Sequence, residues 1–288
     1  MKIRILQDDL RRGLRAVAMA VSTSSSLSIL QGVVLSVSEG RLTVRCTDLT
    51  IEAVAIIPCA VDEDGVSVVD ERRLYDVIDR FGTDSISMEA SGKGLNLKSG
   101  AMKARIAEMR SDEFPTSRDT TTATFTVAAE SLSEAVLWAS MCAARDDSRP
   151  VLRGLSLTGV EDGLRLAACD GFRGSWATLK TPNVDVSGIS CIAPAAQIAE
   201  AMRAIGRDPQ TTVGISVDKH RIVLQTETLR YSVQLLQGSY PNFEQLLPKE
   251  LPVTLRCNRK ELIAAGRLAG ALADRDGRIL LLDMSGSE

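Results

Sequence analysis

The chain has 288 residues, of which 44% are hydrophobic and 25% are charged, and its net charge is −3. This composition makes disorder not the default and is typical of one large domain or two to three modest ones. No apolar run approaches the roughly 20 residues of a membrane span, and the charged N-terminus lacks a signal-peptide core. Six scattered cysteines argue against a disulfide framework or a metal site. A cytoplasmic protein is expected.

The first part of the chain predicts two helices among short strands. The helices run from Asp8 to about Val21 and from an Asp70 cap to about Phe81, where Gly82 ends the second. Runs rich in β-branched residues predict the strands Lys2–Leu6, Val33–Val37, Leu42–Cys46, Ile51–Ile57, Ile86–Glu89, Leu95–Lys98 and Lys103–Met109.

The next part repeats this order. Its helices are predicted at Ser131–Ala144 and Ala195–Ile205, the second ended by Gly206. Its strands are predicted at Thr124–Val127, Leu155–Leu157, Leu164–Ala168, Ser175–Leu179, Val213–Val217, Arg221–Gln225 and Tyr231–Leu236. A third part offers a strand at Val253–Cys257, a helix from Arg259 and a strand at Ile279–Asp283.

The repetition has a constant period over its first half. The pairs Leu10 and Leu132, Gly32 and Gly154, and Asp48 and Asp170 are each 122 positions apart. So long a period indicates duplicated domains, because solenoid repeats run to roughly 20–50 residues. We expect an α+β fold with two complete copies of one domain and a partial third copy. The expected bounds are residues 1–122, 123–250 and 251–288. The first two domains are expected to be joined across a continuous sheet.

Basic residues lie on the faces of the predicted helices that point away from their apolar stripes. On the first helix, Arg11, Arg12 and Arg15 lie opposite Leu10 and Leu14. If equivalent helices line up, their charges would add into a surface that binds phosphate backbone without reading sequence; ordinary solvated faces are the alternative. The other candidate residues are Arg72, Arg73, Arg80, Arg145, Arg203, Arg207, Lys260 and Arg267.

Enzyme signatures are absent from the sequence. It contains no phosphate-binding glycine loop, and nothing predicts a cofactor. The single histidine, His220, falls in a predicted turn. Asp48 and Asp170 occupy equivalent repeat positions, which favours a shared structural role in turns over a catalytic pair.

Several segments, in order and spacing, resemble motifs of the bacterial DNA polymerase III beta subunit, the β sliding clamp, over essentially the whole chain. They are Ser28-Ile29-Leu30-Gln31-Gly32, Cys46-Thr47-Asp48-Leu49, Asp112-Glu113-Phe114-Pro115, Arg149-Pro150-Val151-Leu152-Arg153-Gly154, Ala168-Cys169-Asp170-Gly171-Phe172-Arg173, Gly238-Ser239-Tyr240-Pro241-Asn242-Phe243 and Leu247-Pro248.

This resemblance implies a non-enzymatic homodimeric ring of three repeated domains per subunit. Helices would line a channel around duplex DNA, and a hydrophobic pocket would tether the DNA polymerase III catalytic subunit and the clamp loader. Such a pocket takes a short peptide with aromatic or leucine anchors. The matching pocket positions are Arg149, Cys169, Gly171, Phe172, Arg173, Pro241 and Leu246.

The chain also departs from the family pattern. The loop from Thr23 to Ser26 lacks the usual basic residue and proline. Cys169, Phe172 and Gly174 replace the usual Thr, His and Leu. Nearly all of a third domain is missing, so a two-subunit closed ring is not expected from the chain as written. A non-encircling module that binds clamp-binding peptides or a clamp partner remains an alternative, as does, more remotely, a trimeric ring with two domains per subunit.

Overall fold

The computed structural model describes residues 1–22, 26–82, 85–117, 123–146, 148–182, 184–242, 245, 250, 254–273 and 280–282. It divides into two compact units, Met1–Pro241 and Asn242–Glu288. The helices of the described residues are α1 (Gln7–Val17), α2 (Glu71–Arg80), α3 (Ala129–Ser140), α4 (Ala195–Ile205) and α5 (Arg259–Leu272).

The strands of the described residues all lie in the first unit. They are β1 (Lys2–Leu6), β2 (Gly32–Ser38), β3 (Arg41–Thr47), β4 (Ile51–Pro58), β5 (Ala60–Glu63), β6 (Gly65–Asp70), β7 (Ser85–Ala90), β8 (Leu95–Ser99), β9 (Met102–Ile106), β10 (Phe125–Ala128), β11 (Gly154–Val160), β12 (Gly163–Cys169), β13 (Gly174–Lys180), β14 (Ser190–Pro194), β15 (Thr212–Val217), β16 (Arg221–Gln225) and β17 (Leu229–Gln234).

Three antiparallel sheets are built from these strands. Their orders are β5-β1-β7-β8-β9, β13-β12-β11-β14 and β10-β15-β16-β17-β4-β3-β2-β6. The eight-stranded sheet takes four strands from each repeat and is continuous where β17 pairs with β4, from Leu229 opposite Ala55 to Val233 opposite Ile51. The two repeats are therefore joined across one sheet, as predicted.

The repeats have equivalent helices at equivalent positions. Gln7 begins α1 and Ala129 begins α3, 122 positions later, and Leu10 and Leu132 are each the fourth residue of their helix. Both leucines are buried, at 0% and 2% exposure. A leucine stripe that faces the sheet contributes roughly 1.5–3 kcal/mol for each buried side chain, which explains why the same position recurs.

Local signals set the helix ends. Asp70 caps α2, since its carboxylate accepts a hydrogen bond from the Arg73 amide at 2.8 Å, one of the amides that lack a partner within the helix. Gly206 follows α4 with φ of 87°, a conformation that costs glycine little. In the second unit, Asn258 caps α5 through the Lys260 amide at 2.9 Å.

Some predicted boundaries were wrong. A short 3-10 helix, Ala18–Ala20, replaces the end predicted for α1, and α3 ends at Ser140, before the predicted Ala144. Strands β5, β6 and β14 were not predicted. In the third part, residues 254–257 and 280–282 form no strand, and Val253, Ile279 and Asp283 lie outside the described residues.

Candidate functional site

Four helices form one layer against the sheets of the first unit. Helix α1 packs against α2 and α4, and α4 packs against α3, so the order across the layer is α2-α1-α4-α3. Both α1 and α4 contact the eight-stranded sheet on either side of the β17–β4 junction. Within this junction, Tyr231 is fully buried and its hydroxyl donates to the Ala16 carbonyl at 2.9 Å. The helix layer therefore crosses from one repeat to the other without a break.

The candidate arginines of α1 have partners within the protein. Arg11 contacts Asp8 at 2.8 Å and Asp79 of α2 at 3.6 Å. Arg12 pairs with Asp9, and Arg15 donates to the Tyr75 hydroxyl at 2.6 Å while lying over its ring. On α2, Arg80 pairs with Asp76 at 3.7 Å.

The layer as a whole is not basic. Helices α1 to α4 contain seven arginines and eight carboxylates, so their charges nearly cancel. The sequence-based expectation that equivalent helices add their charges into one basic surface therefore does not follow from the helices themselves. Any positively charged surface must therefore come from particular arginines and not from the layer as a whole.

The remaining candidates divide into four groups. Arg72 and Arg73 are exposed on α2, and within the described residues neither forms an ion pair. Arg207 follows α4 and donates to the Ser133 hydroxyl of α3 at 3.1 Å. Lys260 and Arg267 are on α5, in the second unit. The last group, Arg145 and Arg203, lines a cleft.

This cleft, which we call the arginine cleft, has a volume of about 780 Å³. It opens between the loop after α3, the start of α4 and the end of β17, with Thr50 of the first repeat at its edge. Its charged lining residues are Arg145, Arg153 and Arg203, and no carboxylate of the described residues lines it. Arg153 is not among the sequence-based DNA candidates, because the sequence places it only in the segment of the peptide pocket.

Equivalent turns lie at the ends of β3 and β12. The Asp48 carboxylate accepts from the amides of Thr50 and Ile51, both at 2.8 Å. The Asp170 carboxylate accepts from the amides of Phe172 and Arg173, both at 3.0 Å. These aspartates therefore stabilise turns, and the predicted structural role is confirmed. Hydrogen bonding to Arg173 at 2.9 Å lowers the pKa of Asp170 to about 2.

His220 also lies in a turn. Its amide donates to the Asp218 carboxylate at 2.6 Å, and the neighbouring Arg221 amide donates to the same oxygen at 2.7 Å. The side chain is exposed. The predicted position of the histidine in a surface turn is confirmed.

The candidate pocket residues gather around the Asp170 turn. An Arg149 nitrogen lies 3.7 Å from where a Cβ on Gly171 would be, and Gly171 has φ of 93°. Phe172 is completely exposed at the tip of this turn. It therefore neither joins the core nor fills a depression. Leu246 lies outside the described residues.

The backbone below this turn is fixed by Tyr240. Its hydroxyl accepts from the Cys169 amide at 2.9 Å and donates to the Gly154 carbonyl at 3.5 Å. Burial raises the pKa of this hydroxyl well above its usual range. Pro241 follows and ends the first unit. Six of the seven predicted pocket residues are described, and they come from segments that meet at this turn: Arg149, Cys169, Gly171, Phe172, Arg173 and Pro241.

The described part of the chain contains no group of three or more His, Cys, Asp or Glu residues that could hold a metal ion. All six cysteines are free thiols. No helix in the described ranges has the length and apolar character to cross a lipid bilayer.

Comparison with known proteins gives matches over most of the chain. The family description "DNA polymerase III beta subunit, N-terminal domain" matches residues 1–118, and "DNA polymerase III beta subunit, central domain" matches residues 126–242. A beta sliding clamp of Synechococcus elongatus is 26% identical over 99% of this chain and 77% of its own length. One of Streptomyces coelicolor is 23% identical over 98% of this chain and 76% of its own length.

Solved structures give the same result. A DNA polymerase sliding clamp from Bacillus subtilis superposes with a TM-score of 0.89 at 20% identity, over 96% of this chain and 75% of that one. A sliding clamp from Pseudomonas aeruginosa, solved bound to griselimycin, has a TM-score of 0.89 at 26% identity, over 96% of this chain and 76% of that one. The predicted fold class, repeated clamp domains of helices on antiparallel sheets, is confirmed.

Proposed function

The chain belongs to the family of the DNA polymerase III beta subunit, the sliding clamp that acts as a processivity factor, and from that premise we propose that its helix layer faces duplex DNA. The observation that carries this proposal is the continuity of α2, α1, α4 and α3 across the junction between repeats. A helix surface that spans two repeats can follow a DNA backbone without contacting base edges, which gives binding without sequence preference. Domain boundaries near residues 122 and 250 are part of the same proposal.

The arginines of the layer differ in how free they are to bind phosphate. Within the described residues, Arg72, Arg73, Arg145 and Arg203 form no ion pair, and we rank them first. Arg11, Arg12, Arg15 and Arg80 come second, because a phosphate must compete with their present partners. Exposed ion pairs contribute only about 0–1 kcal/mol, so that competition is possible. Arg207, Lys260 and Arg267 complete the proposed set.

Duplex binding tests this function. Two fluorescent duplexes of unrelated sequence should bind with equal affinity. The logarithm of the association constant should fall linearly with the logarithm of the salt concentration, with a slope of roughly −0.9 for each phosphate neutralised. Fluorescence anisotropy across a potassium chloride series measures both. The non-encircling alternative predicts no duplex binding. A preference for one sequence, or binding unaffected by salt, would contradict the proposal.

For the partner site, we propose the surface around the Asp170 turn, formed by Arg149, Cys169, Gly171, Phe172, Arg173 and Pro241, with Leu246 added from the family resemblance. Its proposed ligands are short peptides of the DNA polymerase III catalytic subunit and the clamp loader. The support is geometric, because an exposed aromatic side chain lies beside two arginines at a turn with a fixed backbone. The Pseudomonas aeruginosa relative binds griselimycin, which shows that a clamp of this fold accepts a ligand.

The partner site predicts a specific mutational effect. Phe172→Ala should weaken binding of a clamp-binding peptide about tenfold or more, because burying a phenylalanine side chain stabilises a complex by roughly 1.5–3 kcal/mol. The matched control is Leu49→Ala, which removes an exposed apolar side chain from the equivalent turn of the first repeat. Isothermal titration measures both. Equal losses for the two variants would place the peptide elsewhere.

Catalysis has no part in this proposal. A clamp acts by tethering other proteins to DNA, and a structural role explains the carboxylates of the two equivalent turns. We further propose that the protein works in the cytoplasm and that its full-length form self-associates into a ring. The six free thiols support a reducing compartment.

A further inference from the structure

The β17–β4 junction pairs two strands that each have a counterpart at a sheet edge. Strand β13 follows and pairs with β12 as β4 follows and pairs with β3, and its last residue, Lys180, is 122 positions after Pro58, the last residue of β4. Strand β9 is the counterpart of β17, because the order β1-β7-β8-β9 recurs as β10-β15-β16-β17. Among the described strands, β9 and β13 each lie at the outer edge of their sheet.

The pairing across the strands fixes which residues of β9 and β17 correspond. Ala104 of β9 is reached from Ile3 by stepping across β7 and β8. Tyr231 of β17 is reached in the same number of steps from Phe125, which is 122 positions after Ile3. Tyr231 is fully buried, whereas its counterpart Ala104 is only half-buried. An edge strand presents a row of amides and carbonyls that can pair with another chain.

The junction takes a large side chain from the incoming strand. Tyr231 lies opposite Ala53 of β4, and its hydroxyl donates to the Ala16 carbonyl of α1 at 2.9 Å. Ala16 is itself small and only 8% exposed. Tyr231 therefore supplies both the bulk beside α1 and the hydrogen bond to it.

At β13 the same two contributions come from the receiving side. Ser175 takes the place of the alanine of β4, and its hydroxyl donates to the Ala139 carbonyl of α3 at 2.7 Å. Trp138 takes the place of the small residue of α1. It is 53% exposed and lines a groove of about 340 Å³ between α3 and β13. A strand that enters this groove therefore needs a small residue opposite Ser175, and Ala104 is small.

We propose that β9 of one copy of this chain adds antiparallel to β13 of a second copy, in the register of the β17–β4 junction. The inference rests on the self-association in the proposed function and names the surface that carries it in this chain. In that register Ala104 lies opposite Ser175 of the second copy. Lys103 lies opposite the exposed Trp176, where an ammonium group beside an indole is favourable. Two β9 edges paired about Ala104 would instead place Lys103 opposite Arg105, and like charges directly opposite destabilise a strand pair.

Mixing two blocked variants tests this contact, because it joins different surfaces of identical copies. Ala104→Glu places a charge on β9, and Ala177→Glu places one on β13. Each variant should self-associate about tenfold or more weakly than the parent, because an unpaired charge at a buried contact is costly. Their equimolar mixture should form a one-to-one dimer, because the first variant keeps an intact β13 and the second an intact β9. Sedimentation velocity measures assembly, and circular dichroism checks folding.

The matched controls are Asn96→Glu on β8 and Thr158→Glu on β11, which add the same charge at exposed positions away from both edges. Both controls should assemble like the parent. Growth of the parent into a closed ring and open-ended growth both support the pairing, since a contact between different surfaces gives either. A monomeric parent, a mixture that stays monomeric, or a blocked variant that assembles like the parent overturns the proposal.

A second arm does not depend on the charged variants. p-Benzoylphenylalanine at the exposed position of Lys103 should crosslink to β13 of another copy, as mapped by mass spectrometry on mixed isotope-labelled and unlabelled chains, whereas at Asn96 it should not. No crosslink between copies from position 103, or one that lies outside β13, would overturn the pairing. Duplex binding is measured separately by anisotropy. A parent that stays monomeric but binds duplex overturns this inference and leaves the DNA-binding function standing, whereas a parent that assembles through these edges without binding duplex supports the pairing while the DNA-binding function fails.

Discussion

Glu71 is a buried carboxyl at the first position of α2. It is 7% exposed, and desolvation, with smaller contributions from Asp70 and Asp76, raises its pKa to about 7. Burial also raises the pKa of the adjacent thiol of Cys46, with the Glu71 charge as a second cause. Between pH 4.5 and about 7 the native state holds a proton that the unfolded chain has released. The free energy of unfolding therefore falls as pH rises through this window.

Glu71→Gln should remove that pH dependence. The variant should match the parent near pH 4.5 and be more stable at pH 8, by up to roughly 3 kcal/mol, because each pKa unit corresponds to about 1.36 kcal/mol. Urea unfolding at several pH values measures the difference. Glu134→Gln on the exposed face of α3 is the control, and it should leave the pH dependence of the free energy of unfolding unchanged. A Glu71 variant that follows the parent at every pH would contradict the assigned burial effect.

Residue-scale features were predictable where the cause is local. The Asp70 cap, the Gly206 stop and the Asp48 and Asp170 turns each depend on a few neighbouring residues. The arginine partners that come from other elements were not predictable from local sequence. Arg11 reaches Asp79 across the α1–α2 contact, and Arg15 reaches Tyr75 in the same way.

At the scale of elements, the β17–β4 junction is fixed by a partly buried charge network. Glu52, which is 7% exposed, accepts from Arg230 at 2.9 Å, from Arg45 at 3.2 Å and from the Ser117 hydroxyl at 2.8 Å. Arg45 also donates to the Pro115 carbonyl and lies over the Phe114 ring. One carboxylate thus ties the strand of each repeat to the segment that connects the repeats.

Glu52→Ala should destabilise the protein by about 3 kcal/mol, because it leaves two partly buried guanidinium groups without their shared counter-charge. Glu63→Ala is the control, since Glu63 is exposed and, within the described residues, its one ion pair is with the N-terminal amine at 3.8 Å. An exposed pair contributes about 0–1 kcal/mol. Chemical denaturation measures both variants. Equal effects would show that the junction does not depend on this network.

Element prediction succeeded where the apolar pattern was regular and failed where a strand left no pattern or no boundary in the sequence. Helix α4 and strand β16 were predicted with their observed bounds. Strand β5 is polar and lies at a sheet edge, so burial leaves no alternating pattern in its sequence. Strand β14 runs directly into α4 through Pro194, without a turn to mark it.

At the scale of the whole molecule, the repeat could be predicted and the charged surface could not. A constant offset of 122 positions implied two equivalent domains and one continuous sheet. The arginine cleft brings together Thr50, Arg145 and Arg203 from three distant segments, and no sequence period relates them. The basic residues of single helices also gave a wrong prediction of the charge of the whole layer, because carboxylates of the same layer cancel their charge.

The central claim is that the helix layer, not the outer surface of the sheets, faces duplex DNA. Photo-crosslinking tests it most directly, with p-benzoylphenylalanine placed either at Ala204, exposed on α4, or at Asn96, exposed on β8 between the buried Leu95 and Leu97. The account predicts a crosslink to duplex DNA from position 204 that disappears at high salt, and none from position 96. Equal crosslinking from both positions, or crosslinking from position 96 alone, would contradict it.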